Sequence, residues 1–199
     1  MIALIPAAGH SMRMGRPKLA LPLGDRTVLE CVVQTLKAAS VSDVVVVLGP
    51  HVSELVSLAE GAGAHPVMLA ESTPDMRTTV QRGLDWIEQT IQPKPGDAWL
   101  LVPADHPAMD VDAIRNLIAE YQKQSRCSIA VPTFAGKRGH PALIAWKHVA
   151  GIRAFPPDRG LNAYLREHAG ETLEVPVESN GVLFDLDTPE DYARLTEES

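Results

Sequence analysis

The chain has 199 residues, 45% of them hydrophobic, a formal net charge of −7 and two cysteines. The acidic balance excludes the basic face that nucleic acid or an anionic membrane requires, and the wide separation of Cys31 and Cys127 excludes a disulfide scaffold. The start carries no cationic leader and no run nears the roughly 18 apolar residues of a membrane span, so one globular domain over residues 1–199, located in the cytoplasm, is expected.

The first predicted element is the apolar run Ile2 to Pro6, followed by a loop that reaches Lys18. A helix is expected from Thr27 to Ala39, where Leu29, Val32, Val33 and Leu36 fall on one face. Asp43 to Gly49 reads DVVVVLG, a continuous β-branched run of the kind buried on both faces of a sheet. A helix over His51 to Glu60, a short strand in HPVML and a helix from Met76 to Ile91 come next, the last with Val80, Leu84, Ile87 and Ile91 in register. A buried strand is expected in AWLLVPAD (98–105), a helix from Asp110 to Lys123, and strands in SIAVP and HPALIAW. Leu161 to His168 is expected helical, TLEVPV and GVLFDLD follow, and a last helix starts near Pro189. Strands alternating with helices predict an α/β fold: a doubly wound, mostly parallel sheet with helices on both faces. Ligands of such sheets bind beyond the carboxyl ends of the strands, which directs attention to the loops after Pro6 and Pro103 and to the region of Asp185.

The opening loop, IPAAGHSMRMGRPK, carries two glycines, Gly9 and Gly15, and three cations, Arg13, Arg16 and Lys18. Glycine lets backbone N–H groups approach a phosphate chain, and Arg13 and Lys18 can add charge-assisted bonds. Five residues separate the glycines and Arg16 follows the second, so this is neither the P-loop nor the dinucleotide fingerprint. Asp105 leaves a buried apolar run, where a carboxylate is costly unless solvated or paired with a cation. Asp185 and Asp187 end the run GVLF. Carboxylates from two separate strand ends suit Mg²⁺, which takes oxygen ligands and phosphate. Asp-Thr-Pro-Glu-Asp at 187–191 is equally a helix start, with Thr188 as cap and Pro189 in the first turn. Trp86, Trp99 and Trp146 read as core; His10, His51, His65, His148 and His168 read as surface or helix-end residues; Arg77 and Arg82 reach either phosphate or solvent.

Ala7-Ala8-Gly9-x-Ser11-x-Arg13-Met14-Gly15-x-x-Lys18 resembles the signature of the molybdenum cofactor cytidylyltransferases and guanylyltransferases, a family of Rossmann-like nucleotidyltransferases. DMRTTVQRGL (75–84), PADHP (103–107), RGHPAL (138–143), DRGL (158–161) and FDLDTPEDY (184–192) resemble later motifs of that family, in its order. Asp75 stands for a glycine, Thr78 and Thr79 for serines, and Ala104 for the glycine before the metal aspartate. The resemblance implies that Ala7, Ala8, Gly9, Ser11, Arg13, Gly15, Lys18, Thr79 and Asp105 bind an NTP. It further implies Arg13, Lys18 and Asp105 as catalytic residues, and Asp105 and Asp187 as the Mg²⁺ ligands, with Asp185 facing away. His106, Arg138, His140 and Arg159 are implied on the acceptor side. Ala-Ala-Gly rather than Ala-Gly-Gly favours CTP. The implied reaction moves CMP to a phosphorylated acceptor such as molybdopterin, releases pyrophosphate, and brings with it a partner in molybdoenzyme maturation. A sugar or alcohol phosphate acceptor, and a non-catalytic nucleotide- or cofactor-binding protein, are the alternatives. A haloacid-dehalogenase-type phosphatase is excluded because only 12 residues follow Asp187. The Asp-Leu-Asp triplet of nucleotide-sugar glycosyltransferases usually lies mid-chain, without such an opening loop.

Overall fold

Valine and leucine runs without polar alternation need cover on both faces, and the computed structural model, which describes residues 1–9 and 17–197, supplies it. The strands are β1 (Ile2–Ala7), β2 (Pro22–Leu23), β3 (Arg26–Thr27), β4 (Asp43–Leu48), β5 (His65–Met68), β6 (Ala98–Leu101), β7 (Ile129–Phe134), β8 (Lys137–Arg138), β9 (Ala142–Ala145) and β10 (Thr172–Pro176). The helices are α1 (Val28–Ala38), α2 (Leu55–Gly61), α3 (Met76–Thr90), α4 (Val111–Lys123), α5 (His148–Ala154), α6 (Leu161–Glu167) and α7 (Pro189–Glu197). An 8-stranded sheet runs in the order β10-β7-β9-β6-β1-β4-β5, with β8 paired to β7. β1 is parallel to β4 and β6, β4 to β5, and β7 to β10, while β9 runs antiparallel to both of its neighbours. The expected mostly parallel sheet is therefore present, and β9 is the reversed strand that lets the chain cross to its second half.

Period-two alternation divides the core into two layers. Ala3, Ile5, Val44 and Val46 face one layer with α1, α2 and α4, and Leu4, Val45 and Val47 face the other with α3, α5 and α6. Leu4, Leu29, Leu36, Leu48, Leu84, Ile87 and Trp99 are fully buried, and each aliphatic side chain so buried contributes roughly 1.5–3 kcal/mol. α3 lies close on the sheet because residue 83 is glycine: a Cβ there would stand 2.4 Å from Leu4 Cδ1 and 2.7 Å from Val47 Cγ2.

Local chemistry sets the element ends. Thr27 caps α1 through a capping box with Glu30, and Asp110 caps α4 by accepting from Asp112 N and Ala113 N. Asp75, the residue that stands for a glycine, caps α3 and accepts from Thr78 N at 2.7 Å. Two expectations are corrected. The helix from His51 splits into a 3-10 turn, Pro50–Val52, and α2, whose N-cap Glu54 makes no side-chain cap bond. GVLF forms no strand: Asn180–Leu183 is a 3-10 turn, and the segment behind it is fixed by the fully buried Leu186, whose N–H donates to Asp105 O at 2.8 Å.

Candidate active site

Lys18 opens a 3-10 turn, Lys18–Ala20, directly ahead of two core side chains. Leu19 and Leu21 are buried against α1, Ala20 N donates to Pro17 O, and Leu21 N donates to Lys18 O. The lysine backbone is thereby fixed while its side chain crosses to the ends of two distant segments. β6 delivers the first of these: Val102 N continues the ladder to Leu4 O at 3.0 Å, Ala104 is buried, and Asp105 turns out at the sheet end. The second is 184–188, pinned through Leu186 and closed by α7. Asp191 Oδ2 accepts from Thr188 N at 2.8 Å and from Asp187 N at 3.2 Å, and Thr188 Oγ1 accepts from Asp191 N. The hydrogen bonds from Thr188 hold the Asp191 carboxyl down at about 2.

The three meet. Lys18 Nζ donates to Asp105 Oδ2 at 2.6 Å, Leu186 O at 2.8 Å and Asp187 Oδ1 at 3.0 Å. Burial alone would lower the ammonium pKa, but the hydrogen bonds and charges of Asp105 and Asp187 outweigh it and raise it, so the lysine is charged. Side-chain exposures of 15%, 25% and 21% for Lys18, Asp105 and Asp187 leave the group open to a ligand. Asp185 acts as a charge near His140.

Next to Asp105 lie two imidazoles. His106 Nε2 stands 3.9 Å from Asp105 Oδ1, and its ring meets that of His140 edge-on at 4.9 Å. Burial lowers both pKa values, that of His140 to about 4 with the His106 charge adding to the effect, so both rings are neutral at pH 7. Neither Nδ1 has a hydrogen-bond partner among the described residues. Gly139 permits this approach: its N donates to Pro132 O at 2.8 Å, and a Cβ would lie 2.4 Å from Val182 O.

The remaining expected residues fall elsewhere. Ala7 and Ala8 are buried at the end of β1, and Gly9 follows, its carbonyl 3.4 Å from His51 Nε2. Ser11, Arg13 and Gly15 lie outside the described residues. Thr79 is buried, bonded to Thr73 Oγ1 at 2.5 Å and Asp75 O at 3.2 Å. Arg138 is engaged with Glu174 at 2.7 Å, and Arg159 with Glu167 at 2.6 Å over the Phe155 ring. His148 is not a surface residue: it is 5% exposed, 2.8 Å from Ser128 Oγ and 2.9 Å from Tyr164 OH. Arg77 is neither solvated nor turned to a phosphate: it is buried and donates to Ile152 O at 3.2 Å, Pro156 O at 2.7 Å and Phe155 O. Sequence reasoning passed over Asn162 and Arg166, exposed residues that share with His140 the lining of a cavity of about 270 Å³; their spacing of one helical turn was visible, but nothing local set that face against β7 and β9.

Residues 3–172 match the MobA-like NTP transferase domain family. The chain belongs to that family. Asp187 lies beyond the matched span, so the family match does not cover it, and its contact with Lys18 is what brings it to the site. The chain is 26% identical over 202 residues to the purine catabolism protein PucB of Bacillus subtilis, an alignment covering 96% of this chain and 94% of the relative. It is likewise 26% identical to the molybdenum cofactor guanylyltransferase of Rhizobium meliloti, covering 95% and 87%. Among solved structures, Rv0371c of Mycobacterium tuberculosis in complex with manganese superposes with a TM-score of 0.76 at 22% identity, covering 100% of this chain and 98% of that one, which establishes the shared fold. For a MobA-like NTP transferase fold, the end of the sheet carrying Lys18 and Asp105 is the end at which β1 and β6 terminate.

Proposed function

We propose that this chain is a cytoplasmic, single-domain cytidylyltransferase that moves CMP from CTP to a phosphorylated small molecule and releases pyrophosphate. The observation that carries the reading is the Lys18 ammonium bonded to both Asp105 and Asp187 across most of the chain length. Two carboxylates that already share one cation are hard oxygen donors aimed at one point, and they fit a divalent ion such as Mg²⁺. Asp105 and Asp187 would hold that ion, which when bound supplies Lewis-acid polarisation of the phosphates.

The chain's own groups do the rest. Ala7, Ala8 and Gly9 lead the backbone from β1 toward the triphosphate, and Ser11, Arg13 and Gly15 are further groups for binding it. An oxygen of the acceptor phosphate attacks the α-phosphorus, the new P–O bond forms as the bond to the bridging oxygen of the β-phosphate breaks, and pyrophosphate leaves with that electron pair. Lys18 and Arg13 offset the charge that builds on the phosphate oxygens, and no protein base is needed because the attacking phosphate is already ionised. Thr79, fixed at the start of α3, supports the nucleoside end. His106 and His140 face the acceptor, with Arg138 and Arg159 further out. Kinship with a molybdenum cofactor guanylyltransferase makes molybdopterin the first acceptor to assay, with a molybdoenzyme-maturation partner as the corollary. Ala8 in place of a second glycine supports CTP over GTP.

The test is thermal stabilisation by CTP and by GTP with Mg²⁺, followed by pyrophosphate release with molybdopterin and with sugar and alcohol phosphates. CTP is expected to stabilise more than GTP. Equal shifts remove the nucleotide assignment, and absence of pyrophosphate with every acceptor leaves a nucleotide-binding protein without turnover.

A further inference from the structure

Beside the Lys18 centre, α6 stands off the sheet and leaves a cavity of about 270 Å³ between itself, β7 and β9. Its floor is apolar, made by Ile129 and Val131 of β7 and Ala142 of β9, with Leu165 opposite. Ile129 and Val131 are same-face neighbours on one strand, so the floor measures about 7 Å along β7, the length of a single or fused ring. His140 lines one end, its ring meets that of His106, and His106 stands 3.9 Å from Asp105, so the cavity adjoins the proposed transfer site.

The other walls carry charge. Asn162 and Arg166, both exposed and one helical turn apart on α6, line the cavity, and neither side chain has a hydrogen-bond or ion-pair partner among the described residues. Arg138 lines it too, spending only its Nε on Glu174. The nearby acids do not cancel Arg166: Glu167 is paired with Arg159, and Glu171 with Lys147. A ring-sized apolar slot with two guanidinium groups and an amide at its rim matches a flat molecule ending in an anion.

We infer that the acceptor carries two anionic groups on a small flat body: the phosphate that attacks CTP, and a second anion, carboxylate or phosphate, held by Arg138, Asn162 and Arg166. The inference rests on the nucleotidyl-transfer reading and narrows its acceptor class. Titration calorimetry with the full chain provides the test, using phenyl phosphate, 4-carboxyphenyl phosphate and 1,4-phenylene bisphosphate as probes. At least one doubly anionic probe is expected to bind ten-fold or more tighter than phenyl phosphate, and whichever does so identifies the anion. Arg166→Ala is expected to erase that preference and Arg166→Lys to restore part of it. Equal affinities for all three probes, or a preference that survives Arg166→Ala, overturns the inference. CTP-induced stabilisation of the wild type, followed in parallel, reports on the nucleotide half separately: its absence would end the transfer reading, while the probes alone would still decide the anion site.

Discussion

Lys18 and Arg77 are both cations drawn away from bulk water, yet they are answered differently. Arg77 is 8% exposed and meets only backbone carbonyls at the end of α5, where a helix leaves its last C=O groups without partners and its dipole negative. Every group it satisfies belongs to the fold, so the arginine ties α3 to α5. Lys18 meets two carboxylates contributed by separate segments and left partly open to solvent. Both carboxylates spend a side-chain oxygen on the Lys18 ammonium. The lesson is that a withdrawn cation is read by what it satisfies: carbonyls mark architecture, and converging acids mark a place prepared for a further charged molecule.

The sharpest way to break this comparison is to remove each cation in turn. Lys18→Ala is expected to lower kcat for nucleotidyl transfer about 100- to 1000-fold, the usual cost of deleting one charge-stabilising donor, with little loss of melting temperature. Pyrophosphate release and a thermal melt on the same sample check both halves. Arg77→Ala should do the reverse. It strips several carbonyls of a charged donor, and a loss of about 3 kcal/mol, or roughly 6–12 °C for a chain of this size, is expected with kcat per folded molecule kept. Equal damage to stability by the two variants would erase the distinction.

Acid should strain the architectural side. His148 is buried between Ser128 and Tyr164, and burial, with the His168 charge, pushes its pKa below 6.5, so the fold favours its neutral form. The unfolded chain therefore takes up the proton first, and stability falls as pH drops below about 6.5. Glu171 is held at about 2, chiefly by hydrogen bonds from Ser128 and Lys147, against an ordinary 4.5, so its contribution is present above pH 4.5 and is lost as pH falls toward 2. Melting temperature against pH should decline through both windows, and His148→Gln should flatten the upper one. The smallest expected effect is at α1: Thr27→Ala removes the capping box and should cost about 1 kcal/mol by urea denaturation.

Much of the frame was legible because it is local. DVVVVL and AWLL announce strands covered on both faces, and the 3.6-residue period of Val80, Leu84 and Ile87 announces α3. Lys18, Asp105 and Asp187 were found through motif resemblance, and their convergence required the sheet order that sets β1 beside β6. Other features had no local sign. Leu186 looks like any apolar residue until its N–H is seen on Asp105, and His148, at the start of α5, gives no sign of being buried until Ser128 and Tyr164 close around it. Arg77 falls on the same stripe of α3 as Val80, Leu84 and Ile87, and the carbonyls that answer its charge arrive only with the end of α5, 75 residues later in sequence.

The bond from Leu186 to Asp105 has a consequence for biogenesis. Lys18 and Asp187 are separated by 169 residues, so the proposed site is assembled only after residue 187 has left the ribosome. Contacts so distant in sequence form late, after the entropy of closing the intervening loop has been overcome. A polypeptide ending near residue 180 would hold β1 and β6 side by side with Asp105 lacking its second acid, and the proposed transfer site would be incomplete.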